Sequence, residues 1–437
     1  MSGRIRVGQE RTTSHCDKPP QAQPKPGRGR LGPRPLPLHL MAAGLTWTSS
    51  RSALPLWSKG SLPWKGDLAK RAAKLRQSLG NGASLEDFSA AVETEIARRM
   101  ATLAEGIEAY RRHPYERTLP DPPVIWQEGS TRLLDYGALD EAAAKALPLL
   151  VVPSLINRAY VLDLTAERSF LRWLASQGLR PLLVDWGRPG ARERSFTLTD
   201  YVAGRLERAL DFVLEEIGQP PLGLGYCMGG NLALGLAARR QSELRALVLL
   251  ATPWDFHAEN APHGRLAASS LPLAAPLLEV LGEMPVDLLQ ALFASLDPHL
   301  VVRKFLAFAR LDPASPRAEE FVALEDWLND GVPLAAAVAR ECLGRWYGDN
   351  ATAKGEWLLA GRPVEPAEIA VPSLCVIPAQ DRIVPPASAL ALAAALPAAE
   401  QISPAAGHIG MVVSAQAKTA VWQPLLRWIR AQSVDKS

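Results

Sequence analysis

Cysteine is scarce in this chain. Cys16, Cys227, Cys342 and Cys375 are the four thiols among 437 residues. None is spaced as CxxC or another metal-ligand pair, and the set makes no disulfide framework. A zinc module and a stapled secreted scaffold are thereby excluded, and a reducing cytosol is the expected compartment. Long apolar runs are missing as well. No stretch reaches the ~18 residues that a membrane span needs. The N-terminus shows no charged start followed by an apolar segment, so no secretory signal is expected. Aromatic residues make up only 6%, although 12 of them are Trp. Excess charge is absent from most of the chain. The net charge is +3, but residues 1–40 hold eight of the 48 basic and two of the 45 acidic residues. That leaves a tail at +6 and a body at −3. A slightly acidic body argues against nucleic-acid binding.

What is present is enough for a large core. Nearly half of the residues, 48%, are hydrophobic, and the length allows a full α/β domain with additional helical material. Residues 1–35 are rich in Pro, Gly, Gln and Arg and predict a disordered basic tail. Residues 36–146 predict an N-terminal helical extension. Scattered Leu and Trp over 36–80 suggest short helices packed on the body. Ser84 and Asp87 then form a capping-box pattern. Phe88, Val92, Ile96, Met100 and Leu103 follow at helical spacing, and His113-Pro114 ends the run. Residues 118–146 predict a loop or an edge hairpin.

From residue 147 short apolar runs alternate with amphipathic stretches. Strands are expected at 147–153, 181–186, 221–226, 246–251, 372–378 and 399–403, with helices at about 166–177, 199–217 and 229–240. Such alternation means crossover connections and a mainly parallel sheet. It stops between 257 and 370, which reads as a helical insertion covering a site. The core is therefore expected in two parts, 147–256 and 371–437.

The chemistry centres on Gly225-Tyr226-Cys227-Met228-Gly229. This is a G-x-nucleophile-x-G turn between an apolar strand and a helical stretch, with Cys where Ser is usual. The turn is strained, so glycines are needed around it, and the following helix N-terminus favours a thiolate. Taken alone, Cys227 could be a small buried hydrophobe. A dinucleotide loop fits less well, because the glycine spacing is incomplete. Chain order adds two partners. This fold needs nucleophile, acid and His in that sequence. Asp381 ends the strand PSLCVIPAQD, and His408 is the only histidine after it. Asp381 alone would pass for a turn residue and His408 for a surface histidine. In the required order, at strand exits on one edge of a sheet, they predict a Cys227–His408–Asp381 triad. The oxyanion hole is expected from backbone N–H groups of Met228 and of the loop after the first strand, at Leu155. Asn157, Tyr226 and Trp254 are candidates for substrate contact. Trp186 and Trp254 could line a pocket or merely pack, and His257, His263 and His299 belong to cap loops.

These residues resemble the polyhydroxyalkanoate synthases, especially the class III catalytic subunit. The resemblance rests on PSLINRAYVLDLTAERSFLRWLASQGL (153–179), LLVDWGRP (182–189), LTDYVAG (198–204), GYCMGGNLAL (225–234), LATPWDF (250–256), FVALEDWLNDG (321–331), AQDRIVPP (379–386) and GHIGMVVS (407–414). It implies an α/β-hydrolase fold and a triad at Cys227, Asp381 and His408. It also implies polymerisation of (R)-3-hydroxyacyl-CoA through an acyl-cysteine, with CoA leaving and no separate cofactor. The same resemblance implies a homodimer on polyester granules, which agrees with the cytosolic setting and the lack of a transmembrane segment or nucleic-acid partner expected from the residues above. A class III catalytic subunit would also need a partner subunit. The long N-terminus here is more like the class I type, which works without one. The runner-up is a cysteine hydrolase of esters or thioesters. A non-catalytic granule protein is a third reading, against which the intact triad speaks.

Overall fold

The computed structural model describes residues 29–80, 84–139, 143–259, 261–397 and 399–433. Three helices come first: α1 (Leu36–Ser58), α2 (Asp67–Leu79) and α3 (Leu85–Arg112). The short helices expected over 36–80 are thus one 23-residue helix and one of 13. Ala43, Trp47, Leu54 and Trp57 recur on one side of α1 and are buried there, which stabilises a helix whose propensity alone is modest. The capping box forms as the sequence predicts. Asp87 donates its N–H to Ser84 Oγ at 3.0 Å, and Ser84 N–H meets Asp87 Oδ2 at 3.3 Å.

An antiparallel hairpin follows, β1 (Val124–Glu128) and β2 (Thr131–Asp135). It joins the central sheet, because β2 pairs antiparallel with β4 (Leu179–Asp185). The core therefore begins near residue 124, earlier than 147. The hairpin escapes a core assignment by sequence because its β1 face is half exposed and shows no continuous apolar run. Between β2 and β4 lie β3 (Leu147–Val152) and α4 (Phe170–Ser176). Then come α5 (Glu207–Ile217), β5 (Leu222–Tyr226), α6 (Met228–Arg240) and β6 (Leu247–Leu250).

The chain leaves the sheet after β6 and builds a cap. Its helices are α7 (Ala261–Ser269), α8 (Leu271–Leu281), α9 (Val286–Leu296), α10 (Leu300–Phe308), α11 (Pro316–Asn329) and α12 (Ala336–Arg340). The short strand pair β7 (Glu283–Met284) with β8 (Leu334–Ala335) ties the segment before α9 to the start of α12, and β9 (Leu358–Leu359) with β10 (Arg362–Pro363) forms a small hairpin beyond them. The sheet resumes with β11 (Ser373–Val376), α13 (Pro386–Ala395) and β12 (Ala399–Ile402), and the described chain ends with α14 (Gly410–Val413) and α15 (Gln423–Ser433). The eight-stranded order is β1-β2-β4-β3-β5-β6-β11-β12, and every pairing from β4 to β12 is parallel. Strands covered on both faces bury every residue, so β5, β6 and β11 read as unbroken apolar runs. One apolar cluster fills each face of the sheet.

The N-terminal helices dock on the cap. Ala43, Trp47, Leu103, Ile107 and Tyr110 form one cluster with Val302, Phe305, Phe308, Ala318 and Val322. The expected tail reaches this contact too. Residues 1–28 lie outside the described residues, but the part from 29 to 35 is anchored, which corrects the disorder expected up to 35. The Arg30 guanidinium makes a bidentate pair with Asp326 on α11, at 2.7 and 2.8 Å, and also donates to the carbonyls of His113 and Tyr115. One fork-shaped cation satisfying a carboxylate and two carbonyls can order a segment that has no apolar periodicity. Arg30→Ala should cost about 2 kcal/mol of stability. It should appear as a lower urea midpoint, and an unchanged midpoint would contradict the anchoring role.

Candidate active site

Cys227 follows β5 directly and stands at φ +56°, ψ −128°, a conformation a side chain rarely adopts. Its neighbours hold it there. The Cys227 N–H donates to Leu250 O on β6 at 2.8 Å, and its carbonyl accepts from Gly230 N–H at 2.8 Å. The turn fits only with glycine around it. A Cβ on Gly225 would lie 2.4 Å from Gly230 Cα, and one on Gly229 would lie 2.1 Å from Val152 O. The sharp exit lifts the Cys227 side chain off the end of the sheet and starts α6 at Met228. The first N–H groups of that helix, Met228 among them, have no partner within the helix.

Asp381 and His408 come to the same edge from the far half of the sheet. Asp381 follows β11, and its Oδ1 accepts N–H bonds from Ile383 and Val384 at 2.8 and 2.9 Å. Its other oxygen, Oδ2, lies 2.6 Å from His408 Nδ1. A carboxylate there fixes Nδ1–H as the donor and leaves Nε2 as the nitrogen available to Cys227, which is near enough to raise the His408 pKa. Both groups are buried, at 5% and 8% exposure. Burial by itself disfavours the imidazolium. The charge of Cys227 and the hydrogen bond to Asp381 outweigh it and raise the His408 pKa. The three predicted groups are thus in one contact, in an order and tautomer suited to moving a proton between sulfur and imidazole.

Tyr226 has a position that sequence reasoning did not find. Its ring stacks on His408, with centroids 5.3 Å apart and planes at 28°. Its hydroxyl donates to the His408 carbonyl at 3.1 Å. The structure places it beneath the histidine and not in the substrate space for which it was a candidate. The parity of β5 is the reason: Tyr226 and Cys227 are adjacent, so their side chains leave the strand in different directions.

Trp254, a substrate candidate, and Trp186, a possible pocket wall, both sit outside the cavity lining. Trp254 is 3% exposed, and its ring packs edge-on against Trp357. Trp186 donates Nε1–H to Pro153 O at 2.9 Å and packs on Tyr201. Asn157, at φ +65°, accepts from Gln290 Nε2 of α9 at 3.2 Å and so ties the loop after β3 to the cap. In that same loop Leu155 is buried, and the Ile156 N–H is taken by Ser154 Oγ at 3.0 Å. Of the cap histidines, His257 bonds the Tyr347 carbonyl through Nε2 at 2.9 Å, His299 caps α10, and His263 lies in helix α7 and not in a loop.

An apolar cavity of about 120 Å³ lies between these loops and the cap. Ile156, Pro253, Ile383 and Val384 face it from the sheet side, and Leu289, Leu292, Phe293 and Tyr347 from the cap. Tyr347 is close enough to Cys227 that a charge there adds to the burial holding its phenol protonated. No signal in the sequence marks these cap residues, because they come from 60 to 120 positions further along a helical segment.

A mainly parallel eight-stranded sheet, a sharp Cys turn after β5 and acid and histidine loops at the same edge together define the α/β-hydrolase class. The family model described as the alpha/beta hydrolase fold matches residues 148–415, and the model of the poly-beta-hydroxybutyrate polymerase (PhaC) N-terminus matches residues 118–174. The poly(3-hydroxyalkanoate) polymerase subunit PhaC of Allochromatium vinosum is 31% identical over 70% of this chain and 87% of that protein. The same subunit of Synechocystis sp. is 31% identical, over 70% and 83%. For that of Haloferax mediterranei the identity is 30% over 71% of this chain, which spans 64% of that protein. The chain belongs to the poly(3-hydroxyalkanoate) polymerase family and is an acyltransferase of that kind.

The thiols differ sharply in surroundings. Burial pushes Cys342 well up and Cys375 up to about 12, while Cys227 is partly exposed beside His408. Iodoacetamide should therefore alkylate Cys227 in the native protein and spare Cys342 and Cys375 until the chain is unfolded. Peptide mapping by mass spectrometry reads the order, and comparable native labelling of Cys375 would count against it.

Proposed function

We propose that this enzyme polymerises (R)-3-hydroxyacyl-CoA, with Cys227 as nucleophile, His408 as general base and acid, and Asp381 as the group that orients and charges the imidazole. His408 takes the thiol proton, and the sulfur of Cys227 attacks the thioester carbonyl. The backbone N–H groups of Met228 and Leu155 would hold the oxyanion. Collapse breaks the bond to sulfur of CoA, which leaves as thiol with the proton from His408. His408 then removes the proton of a 3-hydroxyl group, and that oxygen attacks an acyl-cysteine carbonyl. An ester forms and the cysteine sulfur is freed. CoA is part of the substrate and a product, and the reading calls for no other cofactor.

One observation carries the proposal: in a chain of this family, Cys227, His408 and Asp381 meet at one sheet edge, beside an apolar cavity under a cap. An apolar covered site suits transfer to a hydroxyl over transfer to water. The same reading includes a cytoplasmic setting, a homodimer and a polyester granule surface. Leu273 and Val280 on α8, 87% and 83% exposed, offer an apolar face suited to such a surface. No described helix is long and apolar enough to cross a membrane.

Cys227→Ala should abolish CoA release from 3-hydroxybutyryl-CoA while leaving the circular dichroism spectrum unchanged. His408→Gln should lower the rate by about 10²–10⁴-fold or more, and Asp381→Asn should be less severe. The wild type should yield oligomeric or insoluble polyester with little free acid. Full turnover by Cys227→Ala would remove the nucleophile assignment. Stoichiometric free 3-hydroxy acid without oligomer would replace the polymerase by a hydrolase.

A further inference from the structure

Tyr226 offers His408 a ring face as well as a hydrogen bond. It ends β5, directly before Cys227, and is buried at 5% exposure. Its ring lies across the His408 imidazole, with centroids 5.3 Å apart and planes at 28°. An aromatic face carries negative charge density, and a cation within about 6 Å of the ring centre is attracted to it. A neutral imidazole has no net charge to be attracted. Burial, with Cys227 and Asp381 nearby, keeps the Tyr226 phenol protonated, so the ring stays neutral and His408 meets its face. The phenol O–H donates to the His408 carbonyl at 3.1 Å and holds the two rings in register. The contact is shielded from water, because both residues are buried. Shielding of this kind strengthens the attraction of a cation for a ring.

We propose that the face of the Tyr226 ring stabilises the imidazolium form of His408 and so biases the proton shared with Cys227 toward nitrogen. Tyr226 is then a positioning residue that acts on the reaction through the charge of His408. This rests on the Cys227–His408 pairing of the proposed mechanism and deepens it. Three groups face the imidazole. Asp381 lies at Nδ1 from the turn after β11, at 2.6 Å. Cys227 acts on it from the turn after β5, and the Tyr226 ring covers one face. On the far side of Cys227, Tyr347 comes from the cap. The proton can rest on sulfur, beside a neutral imidazole, or on nitrogen, beside a thiolate. The ring stabilises the second arrangement and not the first. The sign for pH follows. Loss of the ring makes the imidazolium easier to deprotonate, so the His408 midpoint falls. That midpoint stands raised to about 10 by the thiolate and the carboxylate, against burial. Without the ring it should stand lower by about one pH unit, which is a tenfold change in the equilibrium.

The test is the titration of His408 in the full-length protein, followed by NMR with isotope-labelled histidine. Loss of one signal in His408→Gln assigns it. Tyr226→Phe keeps the ring and drops the hydroxyl, and Tyr226→Leu drops both. Phenylalanines of increasing fluorine content at position 226 keep the shape of the ring and drain charge density from its face. They keep the experiment decisive if Tyr226→Leu fails to fold. Each change is made in the wild type and in Cys227→Ala, where no thiolate complicates the titration. In both backgrounds Tyr226→Phe should titrate as its parent. Tyr226→Leu should fall by about one pH unit, and the fluorinated series should fall stepwise. A constant His408 midpoint across the fluorinated series overturns the proposal. So does a fall in Tyr226→Phe as large as that in Tyr226→Leu, which would assign the effect to the hydroxyl. Turnover by Cys227→Ala would remove the nucleophile assignment alone, and a stepwise fall in that background would still support the role of the ring.

Discussion

The site depends on one strained residue. Cys227 stands at φ +56°, ψ −128°, where a non-glycine residue costs about 1–3 kcal/mol. The cost is met by close packing on every side. Leu250 O holds its N–H. Gly225 and Gly230 touch, and Gly229 presses against the end of β3. Because the backbone turns so sharply here, the thiol projects from the sheet and α6 begins directly below it. A looser turn would return the sulfur to the plane of β5 and bury it between the two apolar layers, as happens to Cys375 on β11.

The second constraint is the placing of His408. It reaches Cys227 only if its ring is fixed, and three contacts fix it. Asp381 takes Nδ1, Tyr226 stacks on one face, and the Tyr226 hydroxyl holds the His408 carbonyl. Asp381 is in turn held by two backbone N–H groups of its own turn. Tyr226 thus links the strand before Cys227 to the histidine loop, so that the residue next to Cys227 positions His408. The imidazole is buried, yet its charged form is favoured, because negative partners stand on both sides of the ring.

The cap is fastened to the loops at the sheet edge. It starts after β6 and returns before β11, and its attachments bear on the loops after β3, β6 and β11. Gln290 reaches Asn157 after β3, Asn350 bridges Asp255 and the Phe256 N–H, and Arg382 pairs with Asp297. The N-terminal helices pack on the outer side of this cap and not on the sheet. Arg30 extends that contact to the start of the described chain. The extension therefore bears on the site through the cap helices α10 and α11.

Much of this was legible in the residues. The alternation of apolar runs and amphipathic stretches predicts the parallel strands because buried strands must be apolar throughout. The turn residues around Cys227, the acid at a strand exit and the single downstream histidine declare themselves, since the backbone chemistry of those turns admits few residue types. The capping box at Ser84 is equally local. Tertiary structure decided what depends on contacts between distant segments. It drew the β1–β2 hairpin into the sheet through pairing with β4, and it ordered Arg30 through a carboxylate nearly 300 positions away. It turned Tyr226 from a substrate candidate into a support for His408, and it brought Phe293 and Tyr347 to one cavity with Ile156 and Ile383. Periodicity and turn chemistry are properties of neighbouring residues and can be read in order along the chain. Pairing partners and cavity walls are set by which surfaces exclude water together, and only the folded chain brings those surfaces into contact.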